Sequence, residues 1–191
     1  MQVPKYAAME IERRFLVFDP PDLSAARMRV IEDIYLSGTR MRLRAITHAD
    51  GRSPEFKLCK KYPSEEAWGG PITNLYLTAQ EYAVLAALPG AVVRKRRYSV
   101  PWAAWTFSVD VFDGALSGLI LSEVEAETVD DAGRIGLPDW VAREVTADPF
   151  FRGGALASTT AEDLRRLLAI SSDAVPDHSR PAGDLLKGEL S

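Results

Sequence analysis

With 191 residues, 47% of them hydrophobic, the chain is long enough to bury a full core as one domain. Its net charge of −4 argues against nucleic acid as a partner, and its one cysteine, Cys59, excludes an intramolecular disulfide and any multi-cysteine zinc site. No apolar run approaches the roughly 20 residues of a membrane span, and Met1 to Tyr6 carry no signal-peptide core, so a cytoplasmic protein is expected.

The first predicted strand, 9–18, sets Glu10, Glu12 and Arg14 two residues apart. Side chains alternate along a strand, so these three share one face while Ile11, Phe15 and Val17 take the other. Two carboxylates and a guanidinium in one row suit a divalent cation beside an anion. A strand over 30–36 follows, and the Ser37-Gly38 turn leads into 39–48, where Arg40, Arg42 and Arg44 repeat the spacing. After Asp50-Gly51, the strand 53–62 places Lys57, Cys59 and Lys61 together. Gly69-Gly70-Pro71 precedes a strand over 71–77.

Thr78 then caps an amphipathic helix, with Glu81 as the returning acid of a capping box. Three more strands complete the series. Lys95 and Arg97 share a face in 91–100, Ser108 and Asp110 in 104–113, and Glu123, Glu125 and Glu127 in 117–128. Thr159 or Thr160 begins a last helix whose Leu164, Leu167 and Leu168 form an apolar stripe ending near Ile170. From 171 to 191 the composition turns to Ser, Asp, Pro and Gly and predicts a mobile tail behind a single domain over 1–170.

Half a dozen strands thus carry charge on one face, most with an apolar opposite face. A sandwich would turn the charges outward. A closed barrel would turn them inward and cover its outer face with helices, and eight antiparallel strands suffice to close one. Counting Arg14, Arg40, Arg42, Arg44, Lys57, Lys61, Lys95 and Arg97 against Glu10, Glu12, Asp110, Glu123 and Glu125 gives eight cations and five anions. If these converge, an acidic protein holds a cationic interior suited to a small polyanion.

In this respect the chain resembles the CYTH family, also called the triphosphate tunnel metalloenzymes. The residues concerned are Glu10-x-Glu12-x-Arg14, Arg40-x-Arg42-x-Arg44, Lys95-x-Arg97-Tyr98, Val109-Asp110-Val111-Phe112-x-Gly114, Gly118-Leu119-x-Leu121-x-Glu123-x-Glu125, and Pro138-x-Trp140 followed by Arg143-Glu144-Val145-Thr146. They stand in family order across residues 9 to 157. The resemblance implies a mainly β fold: a closed eight-stranded antiparallel β-barrel, or tunnel, with a charged interior and helices outside. It also implies a hydrolase of inorganic triphosphate or another triphosphorylated small molecule, dependent on Mg²⁺ or Mn²⁺.

By the same resemblance Glu10, Glu12, Glu123 and Glu125 would supply metal-binding carboxylates, and Asp110 would orient a lysine or a water. Arg40, Arg42, Lys95 and Arg97 would hold phosphate oxygens, helped by Arg14, Arg44, Lys61 and Lys57. The implied reaction is in-line attack by a metal-activated water on a terminal phosphorus. Class IV adenylyl cyclase shares the fold and stands as an alternative, as does a non-catalytic binder of nucleotides or polyphosphate. A homodimer is left open, and neither nucleic acid nor membrane is expected as a partner.

Two departures weigh on activity. The family's first motif usually ends in lysine, where this chain has Arg14, and the strand 71–77 lacks an acidic pair common in relatives. Arg13, Arg94 and Arg96 fall on the opposite face and read as snorkelling surface residues. His48 is placed in a loop, Glu144 is read as a structural hydrogen-bonder, and Cys59 as a small lining residue.

Overall fold

The computed structural model describes residues 4–66 and 68–173, with side chains through Ala169. Most of the tail predicted over 171–191 therefore lies outside the described residues. Eight antiparallel strands form the barrel: β1 (Ala8–Leu16), β2 (Arg27–Leu36), β3 (Met41–His48), β4 (Glu55–Lys61), β5 (Gly69–Leu77), β6 (Gly90–Trp102), β7 (Trp105–Phe112) and β8 (Ile120–Ala126). Their order around the wall is β5-β4-β3-β2-β6-β7-β8-β1, and β1 returns to β5 to close it. The seam is short, matching Ala8–Ile11 with Gly69–Ile72. A two-residue strand, β9 (Arg143–Glu144), adds onto β1.

The predicted strands all form, with shifted ends. The last was expected from 117, but a 3₁₀ turn at Gly114–Leu116 and Gly118 at φ 98° delay β8 to Ile120. Gly38 sits at φ 70°, the left-handed conformation that the Ser37-Gly38 turn needs and that glycine alone adopts without strain. His48, expected in a loop, is the last residue of β3; it is buried, and its ring nitrogens face Glu55 (2.9 Å) and Arg52 (3.0 Å).

Helices cover much of the outer wall. The helix α1 (Ala79–Ala86) starts at Thr78, whose hydroxyl accepts from the Glu81 amide while Glu81 returns to the Thr78 amide. Its Tyr82 and Leu85 cover Ile34, Leu36 and Leu43. A second helix, α2 (Val129–Arg134), was not foreseen; Thr128 caps it by accepting from the Asp131 amide. Beyond it, Ile135 and Trp140 bury the outward Phe15, Phe107 and Val124, with Trp140 edge-on to Phe107 at 5.4 Å.

The inward face is charged along most of its length and apolar at one end. There Leu16, Val93, Phe112 and Leu121 meet Phe151, Leu156 from the short helix α3 (Gly153–Leu156), and Leu164 from α4 (Ala161–Asp173). These side chains make an oily floor, each fully buried one contributing about 1.5–3 kcal/mol. Among the described residues no helix is long and apolar enough to cross a membrane.

Candidate active site

Above this floor lies a cavity of about 600 Å³. Eleven of the thirteen residues singled out in the sequence line it: Glu10, Glu12, Arg14, Arg40, Arg42, Arg44, Lys61, Lys95, Arg97, Glu123 and Glu125. Register explains the gathering. On β1 and β8, Glu12 lies opposite Glu125 and Arg14 opposite Glu123. On β6 and β7, Arg97 faces Asp110. The remaining two do not line the cavity. Asp110 is wholly buried behind it, and Lys57 lies by Glu55 (3.3 Å) and over the Tyr76 ring at 4.8 Å.

The inner cations are held by acids. The Lys95 ammonium donates to Asp110 at 2.5 Å, and Arg97 forks onto both Asp110 oxygens at 2.6 Å each while also donating to Glu123. Arg14 spreads further: its Nε donates to Glu123 (2.9 Å), one Nη to Glu12 (2.6 Å) and the other to the Phe151 carbonyl (2.9 Å). Lys61 pairs with Glu10 and lies 3.8 Å from Glu12.

Sequence reading missed Asp33 on β2. It is 1% exposed and takes a two-pronged grip from Arg44, at 2.7 and 2.8 Å, with the Arg42 Nε at 3.6 Å. Four adjacent strands, β3, β2, β6 and β7, thus carry a belt of Arg42 and Arg44, Asp33, Lys95 and Arg97, and Asp110. Asp33 lies two residues from Tyr35, another lining side chain, so the period-two rule would have put them on one face. The register that brings Arg44 opposite Asp33 is visible only in the folded sheet.

Electrostatics follow the packing. Burial works against the Asp33 carboxylate, yet Arg44 and Arg42 outweigh it and hold its pKa at about 2. Burial likewise opposes charge on Glu123, but Arg97, Arg14 and Lys95 keep it ionised well below the usual carboxylate range. Glu12 goes the other way: burial, and then the nearby Glu123, raise its pKa. Burial also lowers the Lys95 pKa despite the adjacent Asp110.

Arg13 corrects the sequence reading. Far from snorkelling freely, it clasps Glu144 with Nε (3.1 Å) and a terminal nitrogen (2.6 Å), donates to the Ala132 carbonyl, and packs over Phe15 and Trp68. Glu144 also accepts from Thr146, whose hydroxyl oxygen receives the Arg14 amide at 2.9 Å. The outer clasp therefore fixes the backbone of a cavity residue. Cys59 lines the wall and accepts from Arg42 at 3.4 Å.

Among the described residues no three carboxylate, imidazole or thiolate groups converge to cage a cation. Magnesium needs no such cage, since it is usually held by one or two carboxylates together with waters and substrate phosphates. Glu10, Glu12, Glu123 and Glu125 line the cavity and are the carboxylates that could hold it in that mode. The Glu123 charge raises the Glu12 pKa, and Arg14 already bridges the two carboxylates, so a divalent cation would take their remaining oxygens beside that guanidinium.

A closed barrel that points acid-backed arginines and lysines into a central cavity is a tunnel built for a small, highly charged anion. No family profile matches the chain. It is 31% identical over 153 residues to an inorganic triphosphatase of Nitrosomonas europaea, covering 78% of this chain and 96% of that one. It is 32% identical over 74 residues to an inorganic triphosphatase of Acetivibrio thermocellus, spanning about half (46%) of that relative's length. A crystal structure of an inorganic triphosphatase superposes with a TM-score of 0.54 at 31% identity, covering 78% of this chain and 95% of that one. The chain belongs to the CYTH, or triphosphate tunnel metalloenzyme, family.

Proposed function

We propose that the protein is a divalent-metal-dependent hydrolase of inorganic triphosphate or another triphosphorylated small molecule, releasing orthophosphate. The observation that carries this reading is the cavity itself: basic side chains fixed by buried acids, in a chain 31% identical to an inorganic triphosphatase over nearly the whole of that relative. Phosphoryl transfer asks little covalent chemistry of a protein and depends on positioning and electrostatic stabilisation. Arg44, gripped by Asp33 through Nε and one Nη, and Arg97, gripped likewise by Asp110, would offer their remaining terminal nitrogens to phosphate oxygens, with Arg42 beside them. Lys95 adds a compact charge beside them.

Glu12 and Glu123, with Glu10 and Glu125 nearby on the same two strands, would hold Mg²⁺ or Mn²⁺, which would neutralise phosphate charge and polarise the attacking water. Arg14 keeps Glu12 and Glu123 ordered for that role. The floor of Leu121, Phe112 and Phe151 keeps water out beneath the reacting group.

One observation favours a non-catalytic polyanion binder instead: Glu10, Glu12 and Glu123 are all engaged by cations already. The two readings separate in one assay. With triphosphate and Mg²⁺ or Mn²⁺, orthophosphate should appear, and a chelator should stop it; tight binding with no product in either metal would establish the binder. In the hydrolase, Glu123→Gln should lower turnover by about 100-fold while calorimetric affinity for triphosphate changes only severalfold. Unaltered turnover in that variant would overturn the assignment of Glu123.

A further inference from the structure

The cations lining the cavity divide into two groups. Arg14, Arg42, Arg44, Lys61, Lys95 and Arg97 each stand within 4 Å of a carboxylate. Arg40 and Arg152 line the same cavity, and neither has an ion pair or side-chain hydrogen bond among those found in the described residues. Both are exposed, so they stand where the cavity meets solvent, its mouth, Arg152 beside the Phe151 edge of the apolar floor. Two lining carboxylates, Glu66 and Glu125, are likewise exposed and outside any ion pair.

The inner belt is therefore largely self-compensated, and the two lining arginines free to bind an anion, Arg40 and Arg152, are exposed, alongside the equally free Glu66 and Glu125. A ligand anion reaching the inner cations meets carboxylates already in contact with them, whereas Arg40 and Arg152 lose only water on binding it. Arg40 was expected from its row in the sequence. Arg152 belongs to no row, and its place comes from how its segment is pinned. The preceding residue, Phe151, is buried and gives its carbonyl to Arg14 at 2.9 Å. The following residue, Gly153, passes so close to Tyr35 that a Cβ there would meet the phenol oxygen at 1.9 Å. Between these two points Arg152 is extended, at φ −74° and ψ 137°.

We propose that Arg152 is a specificity-determining residue: with Arg40 it grips the outermost phosphate of the substrate and favours a free triphosphate over one esterified to an organic group. The chemistry differs at that end. A free terminal phosphate offers about two negative charges and three terminal oxygens. An esterified one offers a single charge and two such oxygens, and its organic group must also occupy the mouth. Arginine forks reward the former. This rests on the triphosphatase reading for the direction in which the substrate lies.

The test compares inorganic triphosphate with adenosine triphosphate on the wild-type protein, Arg152→Gln and Arg152→Lys, with thermal melts to confirm folding. For Arg152→Gln the KM for inorganic triphosphate should rise about tenfold at nearly constant kcat, as expected for an exposed charge-assisted contact made equally in ground and transition states. The KM for adenosine triphosphate should change less than threefold, and Arg152→Lys should recover part of the loss. An equal change for both compounds, or no change for inorganic triphosphate, would overturn the proposal. Should the wild-type protein bind without turnover, the same contrast is read from calorimetric affinities. Failure of the hydrolase reading is thereby told apart from failure of this one.

Discussion

Arg14, standing where the family usually has lysine, illustrates what an arginine adds in construction. Its fork reaches acceptors on three separate parts of the chain: Glu12 on β1, Glu123 on β8 and the Phe151 carbonyl. Three donors fixed in a plane suit that spread, while an ammonium would gather its acceptors around one point. Asp33 and Asp110 act on the same scale, converting pairs of flexible basic side chains into aimed ones. A different single residue carries strain. Ala103, in the tight turn between β6 and β7, sits at φ 51°, where a Cβ crowds the backbone. Ala103→Gly should stabilise the protein by roughly 0.5–1 kcal/mol, the relief of strain being partly offset by the freer unfolded chain. Chemical denaturation would show it; an unchanged or lower midpoint would mean the turn is not under strain.

At the scale of elements, the rows of alternating charge were legible because a strand writes its two faces into the sequence directly. Five of the six charged rows needed nothing more to locate the cavity. Asp33 stayed hidden because its strand mixes Ile31, Asp33 and Tyr35 on one face, and only pairing with β3 supplies the arginines that explain a buried acid. Arg13 was misread for a related reason: its partner Glu144 is 131 residues away. Lys57 has the right period but lies outside the cavity lining, its charge directed to Glu55 and Tyr76, so sharing a face does not mean sharing a site. The segment at 149–156 was illegible in another way, being short turns of helix with no period to read. Its fit can be tested at Gly153. Gly153→Ala forces a shift against the Tyr35 hydroxyl, and it should lower stability by about 1–3 kcal/mol and raise the KM for triphosphate by displacing Arg152. Unchanged stability and KM would show that the segment yields freely.

For the whole molecule, the barrel is a container whose wall chemistry sets its response to acid. Against burial, its arginines hold the folded Asp33 pKa at about 2, below the 3.8 of an aspartate in an unfolded chain. Its ionisation therefore stabilises the fold fully above that unfolded value, and the contribution fades as pH falls toward 2. The shift corresponds to roughly 2 kcal/mol. Urea melts at pH 7, 4 and 2.5 should show Asp33→Asn less stable than the wild type at the first and converging on it at the last; parallel curves at all three would remove the buried pair from the account of acid stability.

The seam between β1 and β5 carries a consequence for how such a protein is made. Of the eight barrel strands β1 is made first, and it finds one neighbour at residues 69–72 and the other only at residues 121–126. Until β8 emerges, Arg14 lacks Glu123 and Arg97 lacks one of its two acids. Arg44 has Asp33, Lys61 has Glu10 and Lys95 has Asp110 before then, so the charge left only partly answered is that of Arg14 and Arg97. Completion of the ring and neutralisation of that charge happen in the same step.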